Sequence, residues 1–273
     1  MYKIDNSICY WQQDDGEITR KDKDLIKKVI IKDGTVEVSP RVFANCEYLE
    51  EVILPASVEL IDKYAFEGCE SLSKINLENV GYIDKFAFRG CALQVLVLNS
   101  VILNQGSFED CDKLTDVIIR GQNSPDGFII PNSCFYNCIK LETVTFDALS
   151  VRIEKHAFAY CTNLSILKYS ENIKYIGIES FLHCINLSEV VLDKAIGVDY
   201  CAFAACYSFR HLVLGPETGV MHYIFGDDLN DRDICTGPIL VECNFSNQNI
   251  LKTNYKNHNI DLVFQFKVDI FKD

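Results

Sequence analysis

Thirteen cysteines and five histidines are the residues of this chain that could ligate a metal, form disulfides or act as nucleophile and base. Eight of the cysteines, Cys46, Cys69, Cys91, Cys111, Cys138, Cys161, Cys184 and Cys206, recur at intervals of 20 to 27 residues. Metal ligands must converge on a point, and a ladder of evenly spaced residues does not converge. The odd total leaves at least one thiol unpaired, and the chain is far longer than a small disulfide-stapled scaffold. A cysteine held at one repeat position behaves as a small buried hydrophobe. Free, buried thiols are therefore expected. The histidines are His156, His183, His211, His222 and His258, and the first two fall at different repeat positions. A Cys–His nucleophile would require His183 or His211 beside a thiol, which the inward register of the cysteines opposes. No HExxH, nucleophile elbow, phosphate loop or CxxC pair occurs. These residues predict no enzyme, no cofactor and no metal. The sequons at Asn163, Asn186 and Asn244 are expected to be inert.

Charge narrows the partners. The formal net charge of −13 repels phosphate backbones, so nucleic acid is not an expected partner. No apolar run approaches the roughly 18 residues of a membrane span, and no membrane insertion is expected. The N-terminal MYKIDNSICYWQQDDGE is polar and acidic, unlike a signal peptide. The chain as given reads as cytoplasmic; a removed signal peptide would place it at the cell surface or outside the cell.

The elements that position these residues come from a repeat. Each unit is anchored by a phenylalanine: Phe43, Phe66, Phe88, Phe108, Phe135, Phe158, Phe181 and Phe203. The cysteine follows three residues later, and a leucine or phenylalanine three beyond that, as in Leu49, Leu72, Leu114 and Phe209. The unit after Cys91 has lost one residue, which puts Leu93 at that position. Apolar residues then fall at +3 and +5, as in Val52 and Leu54 or Val190 and Leu192, the period of a strand with one face buried. Ile26, Val29 and Ile31 fit the same spacing, for nine strands in all and a sheet on the order of 40 Å long. Five residues before each phenylalanine stands an aliphatic residue, from Val38 and Ile61 to Val198, predicting a short second strand. Small residues such as Ala65, Ser107 and Ala202 precede the phenylalanine, where a short helical turn is expected. A unit of this length buries its apolar face only by stacking on its neighbours.

The pattern F-x-x-C-x-x-L-x-x-V-x-L, with I-x-x-x-A-F before it, resembles the BspA-type leucine-rich repeat across roughly residues 26–214. That family is widespread in surface proteins of oral and gut bacteria and of some parasitic protists. The resemblance implies an α/β fold: a right-handed leucine-rich-repeat solenoid, or horseshoe, with a parallel β-sheet, short helical turns and terminal caps. It also implies a role in adhesion or protein binding.

Residues 1–25 are read as an N-terminal cap in which Ile8, Tyr10 and Trp11 cover the first rung, because terminal rungs lack a neighbour. Asp14–Gly16 is read as a turn, and the charge-alternating RKDKDLIKK as a solvated turn or short helix. The longest interval, Phe108 to Phe135, holds an insertion rich in turn formers at Gly121, Asn123, Pro125, Asp126 and Gly127. Residues 215–273 are read as a degenerate repeat and a C-terminal cap. Phe225 keeps the spacing there, but Asp228 and Asp231 stand where the cysteine and leucine belong. Ile239–Cys243 is expected to be a strand and the Asn-rich 244–259 a loop. The alternating Leu262, Phe264, Phe266, Val268 and Ile270 are expected to form a half-buried strand.

The expected binding site is the open, concave face of the main sheet. One row of side chains there is Glu51, Lys74, Val95, Asp116, Thr143, Ile166, Glu189 and His211. The next is Ile53, Asn76, Val97, Ile118, Thr145, Lys168, Val191 and Val213. The apolar members of the second row would supply affinity to a protein partner. Glu51, Lys74, Asp116, Lys168 and Glu189 would supply specificity. The alternatives are a homo-oligomerising scaffold, so that the chain is a monomer or a homodimer, and a carbohydrate-facing surface using Tyr169, Tyr175, Tyr200 and Tyr207.

Overall fold

The computed structural model describes residues 2–226, 235, 238–255 and 261–266. His258, Asp228, Asp231, Val268 and Ile270 lie outside the described residues. The repeats stack as a solenoid with two strand-bearing walls. The main wall holds β1 (Lys3–Asp5), β2 (Ile8–Trp11), β3 (Lys28–Ile31), β5 (Glu51–Ile53), β7 (Lys74–Ile75), β9 (Val95–Asn99) and β11 (Asp116–Arg120). It continues through β13 (Thr143–Asp147), β15 (Ile166–Lys168), β17 (Glu189–Leu192), β19 (His211–Leu214), β21 (Pro238–Cys243) and β22 (Asp261–Phe266). The second wall holds β4 (Glu37–Val38), β6 (Leu60–Ile61), β8 (Tyr82–Ile83), β10 (Ile102–Leu103) and β12 (Phe128–Ile130). β14 (Val151–Ile153), β16 (Ile173–Ile176), β18 (Gly197–Val198) and β20 (Gly219–Val220) complete it. All pairings are parallel except β1 with β2.

The anchors form the core. The rings of Phe43 through Phe203 make one stacked column, with centroids 5.2 to 5.7 Å apart and planes within 12°. Trp11 closes one end edge-on to Phe43 at 5.6 Å, and Phe209 and Phe225 pack at the other. The expected aliphatic second-wall residues, Val38 through Val198, are all buried.

The segment around each anchor is not helical, which corrects the expectation of helical turns. Two positions of every repeat, two before and two after the phenylalanine, have left-handed backbone. Tyr64 and Gly68 (φ 59° and 69°) flank Phe66, and His156 and Tyr160 (φ 56° and 64°) flank Phe158. Left-handed residues interrupt any α-helix. They let successive N–H groups alternate between the same rung and the next. Ala44 N bonds Arg41 O, Phe43 N bonds Ala65 O and Asn45 N bonds Glu67 O. Helices are few among the described residues: α1 (Arg20–Lys23), α2 (Phe245–Asn254) and two single 3-10 turns at Gln13–Asp15 and Ser170–Asn172.

Both ends differ in detail from the expectation. In the N-terminal hairpin Cys9 and Trp11 point inward, while Ile8 and Tyr10 face the open side half-buried, because side chains alternate along β2. At the other end the degenerate repeat recovers its register late. Cys235 occupies the cysteine site: its amide bonds Phe225 O and its Sγ bonds Phe203 O. Val241 and Cys243 then sit at the buried +3 and +5 positions, and Leu240 pairs with His211. The Asn-rich stretch expected to be loop contains α2. Asn244 caps it by accepting from Asn247 N at 2.8 Å, and buried Asn247 donates to Thr218 O at 2.8 Å. Tertiary bonds thus override the poor helix propensity of asparagine.

Candidate functional site

From the second repeat onward each repeat thiol bonds an anchor carbonyl. The Sγ of Cys69, Cys91, Cys111, Cys138, Cys161, Cys184, Cys206 and Cys235 donates to the anchor carbonyl of the preceding repeat at 3.0 to 3.2 Å. All thirteen cysteines are buried and none is in a disulfide, and the eight at the repeat position lie inward as their register predicts. Burial pushes the Cys46 thiol up to about 12 and the others of the ladder upward as well, so they stand protonated and unreactive. His183 stacks on Tyr160 at 4.8 Å. Ser133, His156 and Glu179 share one repeat position in three successive rungs, but the hydrogen bond in this column joins only His156 and Glu179. Among the described residues no group of three or more His, Cys, Asp and Glu is placed to hold a metal, and no helix is long and apolar enough to cross a membrane.

The open face of the main wall gathers the binding residues predicted from the repeat. Cross-strand register places Lys28, Glu51 and Lys74 in line, then Val95, Asp116, Thr143 and Ile166, then Glu189, His211, Leu240 and Val263. Ile53, Val95, Val97 and Ile166 are 39%, 59%, 38% and 48% exposed. Ile118 and Val191 are half-buried, and Val213, expected on the open surface, is buried at 6%.

Several charged members of the rows are already engaged. Lys28 lies 2.8 Å from Glu51 and, by hydrogen bonding its carboxylate, holds it below the usual range. Thr115 donates to Asp116 at 2.8 Å. His211 sits between Glu242 at 3.0 Å and Glu189 at 3.8 Å. Asn76 turns its amide onto the Leu54 backbone, accepting from N at 2.9 Å and donating to O at 2.8 Å. Lys74, Lys168 and Glu189 are exposed.

The wall is interrupted. β9 pairs with β11 and not with β7, which divides the wall into separate sheets. The break follows the lost residue after Cys91. Elsewhere the leucine amide bonds the cysteine carbonyl, as Leu72 does to Cys69 and Leu114 to Cys111; Leu93 makes no such bond. A cleft of about 700 Å³ opens between β7 and β9, bordered by Ile53, Lys74, Asn76, Glu78 and Val97. The repeat alignment marks the missing residue but not this opening, because only the packed rungs show which side of the stack absorbs the shortening.

A model of the BspA-type leucine-rich repeat region matches residues 36–146 and 128–226, in six copies. The chain belongs to the BspA-type leucine-rich repeat family. Solved structures in this fold include a leucine-rich repeat protein from Bacteroides ovatus, at a TM-score of 0.69 and 18% identity, covering 89% of this chain. This BspA-type chain spans 66% of the length of that protein. The leucine-rich repeat protein of T. pallidum is similar at a TM-score of 0.50 and 24% identity, over 68% of this chain and 87% of its own. No curated protein matches the sequence.

Proposed function

We propose that the chain is a non-catalytic binding module, for adhesion or protein–protein interaction, that takes a protein partner on the open face of its main wall. One observation carries this reading. A parallel sheet ordinarily has both faces covered, yet here Ile53, Val95, Val97 and Ile166 stand exposed on one face. Exposed apolar clusters rimmed by charge mark contact surfaces, and Lys74, Lys168 and Glu189 provide that rim.

The test replaces Ile53, Val97 and Ile166 together with glutamate. A partner captured by the native chain and then purified should bind this variant at least tenfold more weakly, with the thermal midpoint unchanged. Undiminished binding overturns the reading. Light scattering on the native chain distinguishes a partner surface from a self-association surface, since the latter yields a dimer that the variant loses.

A further inference from the structure

The cleft between β7 and β9 presents a strand edge. β9 is hydrogen-bonded to β11 alone and ends its sheet. β7 pairs on its other side with β5, through Lys74 and Ile75. Neighbouring repeats tie strand entries together, with Ser73 N on Glu50 O and Thr115 N on Gln94 O, but Gln94 makes no such bond to Ser73. The chain closes comparable edges elsewhere. Asn76 occupies the backbone of Leu54, the residue that follows β5. At the second break, between β15 and β17, Ser170 accepts from Val191 N at 3.2 Å and Asn172 donates to Phe146 O at 3.1 Å. No described side chain does this for Val95–Asn99. A row of unpaired backbone donors and acceptors is a template for another strand.

We propose that this cleft is a β-augmentation site, in which an extended segment of the partner polypeptide adds as a strand along Val95–Asn99. The inference rests on the open face being a protein-binding surface and gives its partner a chemistry. Alternate side chains of the segment lie beside Val95 and Val97, and the others enter toward Ile75 and Leu77, which are only half-buried. Charge orients it. Glu51 is neutralised by Lys28, which leaves Lys74 positive at the repeat position of Val95, while Glu78 is negative at the position of Asn99. The segment therefore carries an acidic residue toward Lys74 and a basic one toward Glu78. The cleft, at about 700 Å³, falls within the roughly 300–1,000 Å³ of ordinary ligand sites.

Hydrogen exchange on the full chain is the first test. Alternate amides of Val95–Asn99 should exchange at least 100-fold faster than those of Asp116–Arg120; equal protection in the free chain overturns the proposal. The second uses capped heptapeptides with three apolar residues (Val, Ile, Phe or Tyr) alternating with Thr, and Glu and Lys at the ends in either order. At least one should bind below 1 mM and slow the β9 amides tenfold. N-methylation of its alternate amides should abolish binding, and Lys74→Glu with Glu78→Lys should reverse the preferred charge order. Failure of the whole set at 1 mM, or protection only at other strands, overturns the proposal. If the glutamate variant of the open face still loses the partner in that case, the face reading stands and only the augmentation site falls.

Discussion

Cys235 Sγ lies 3.0 Å from Phe203 O, the bond that Cys206 makes to Phe181 O at 3.1 Å. Cys206 follows its own anchor by three residues, Cys235 by ten. The geometry of the rung, not the spacing in the chain, selects the residue at this position. A buried site next to a carbonyl favours a small apolar group with one weak donor, and cysteine is that group.

The first prediction concerns that bond. Cys138→Ala removes the S–H donated to Phe108 O at 3.2 Å and leaves a small cavity in a fully buried site. Denaturant unfolding should show a loss of about 1–3 kcal/mol. An unchanged midpoint would mean that the ladder carries no stability.

The same thiols set an alkaline limit. Their folded values lie above the ordinary 9.0, since burial pushes Cys46 up to about 12 and raises the rest. A raised folded value gives stability that is complete below pH 9 and is lost as pH climbs toward 12. Each thiol then costs about 1.4 kcal/mol per pH unit. Eight repeat thiols together cost on the order of 10 kcal/mol per unit, comparable to a net stability of about 5–15 kcal/mol. Cooperative unfolding is expected between pH 9 and 11 by circular dichroism, and a chain still folded above pH 11 would contradict it.

Two glycines should separate crowding from conformation. A Cβ on Gly215 would lie 2.0 Å from Asp193 O, a backbone atom that cannot step aside. One on Gly34, at φ +86°, would meet nothing within 4 Å. Gly34→Ala should cost only the left-handed penalty of about 1–2 kcal/mol. Gly215→Ala should cost more, and the reverse order in thermal melts would refute the packing account.

Restoring the lost residue tests the origin of the cleft. Inserting one serine between Ala92 and Leu93 recreates the Cys-x-x-Leu spacing. The amides of β9 should gain protection as β7 and β9 pair, the melting temperature should rise, and heptapeptide binding should vanish. An insertion that leaves β9 exchange unchanged would show that the break has another cause.

The 22- to 23-residue rhythm, the inward thiols, the anchor column and both strand positions were readable in the sequence. Each reports a side chain that must be apolar and of one size because a neighbour repeats it a rung away. The left-handed pairs were partly visible, since Asn45, Gly68, Gly90, Asp110 and Asn137 are residues that tolerate positive φ, while Tyr160, His183 and Ala205 hide the rule. Residue order along the chain thus determined the stack and the faces of its strands. The three-dimensional packing alone decided that Cys235 takes the cysteine site, that an Asn-rich stretch forms a helix and that the wall opens beside β9. Those outcomes depend on hydrogen bonds between residues some twenty to thirty positions apart, and a local pattern does not record which of them are made.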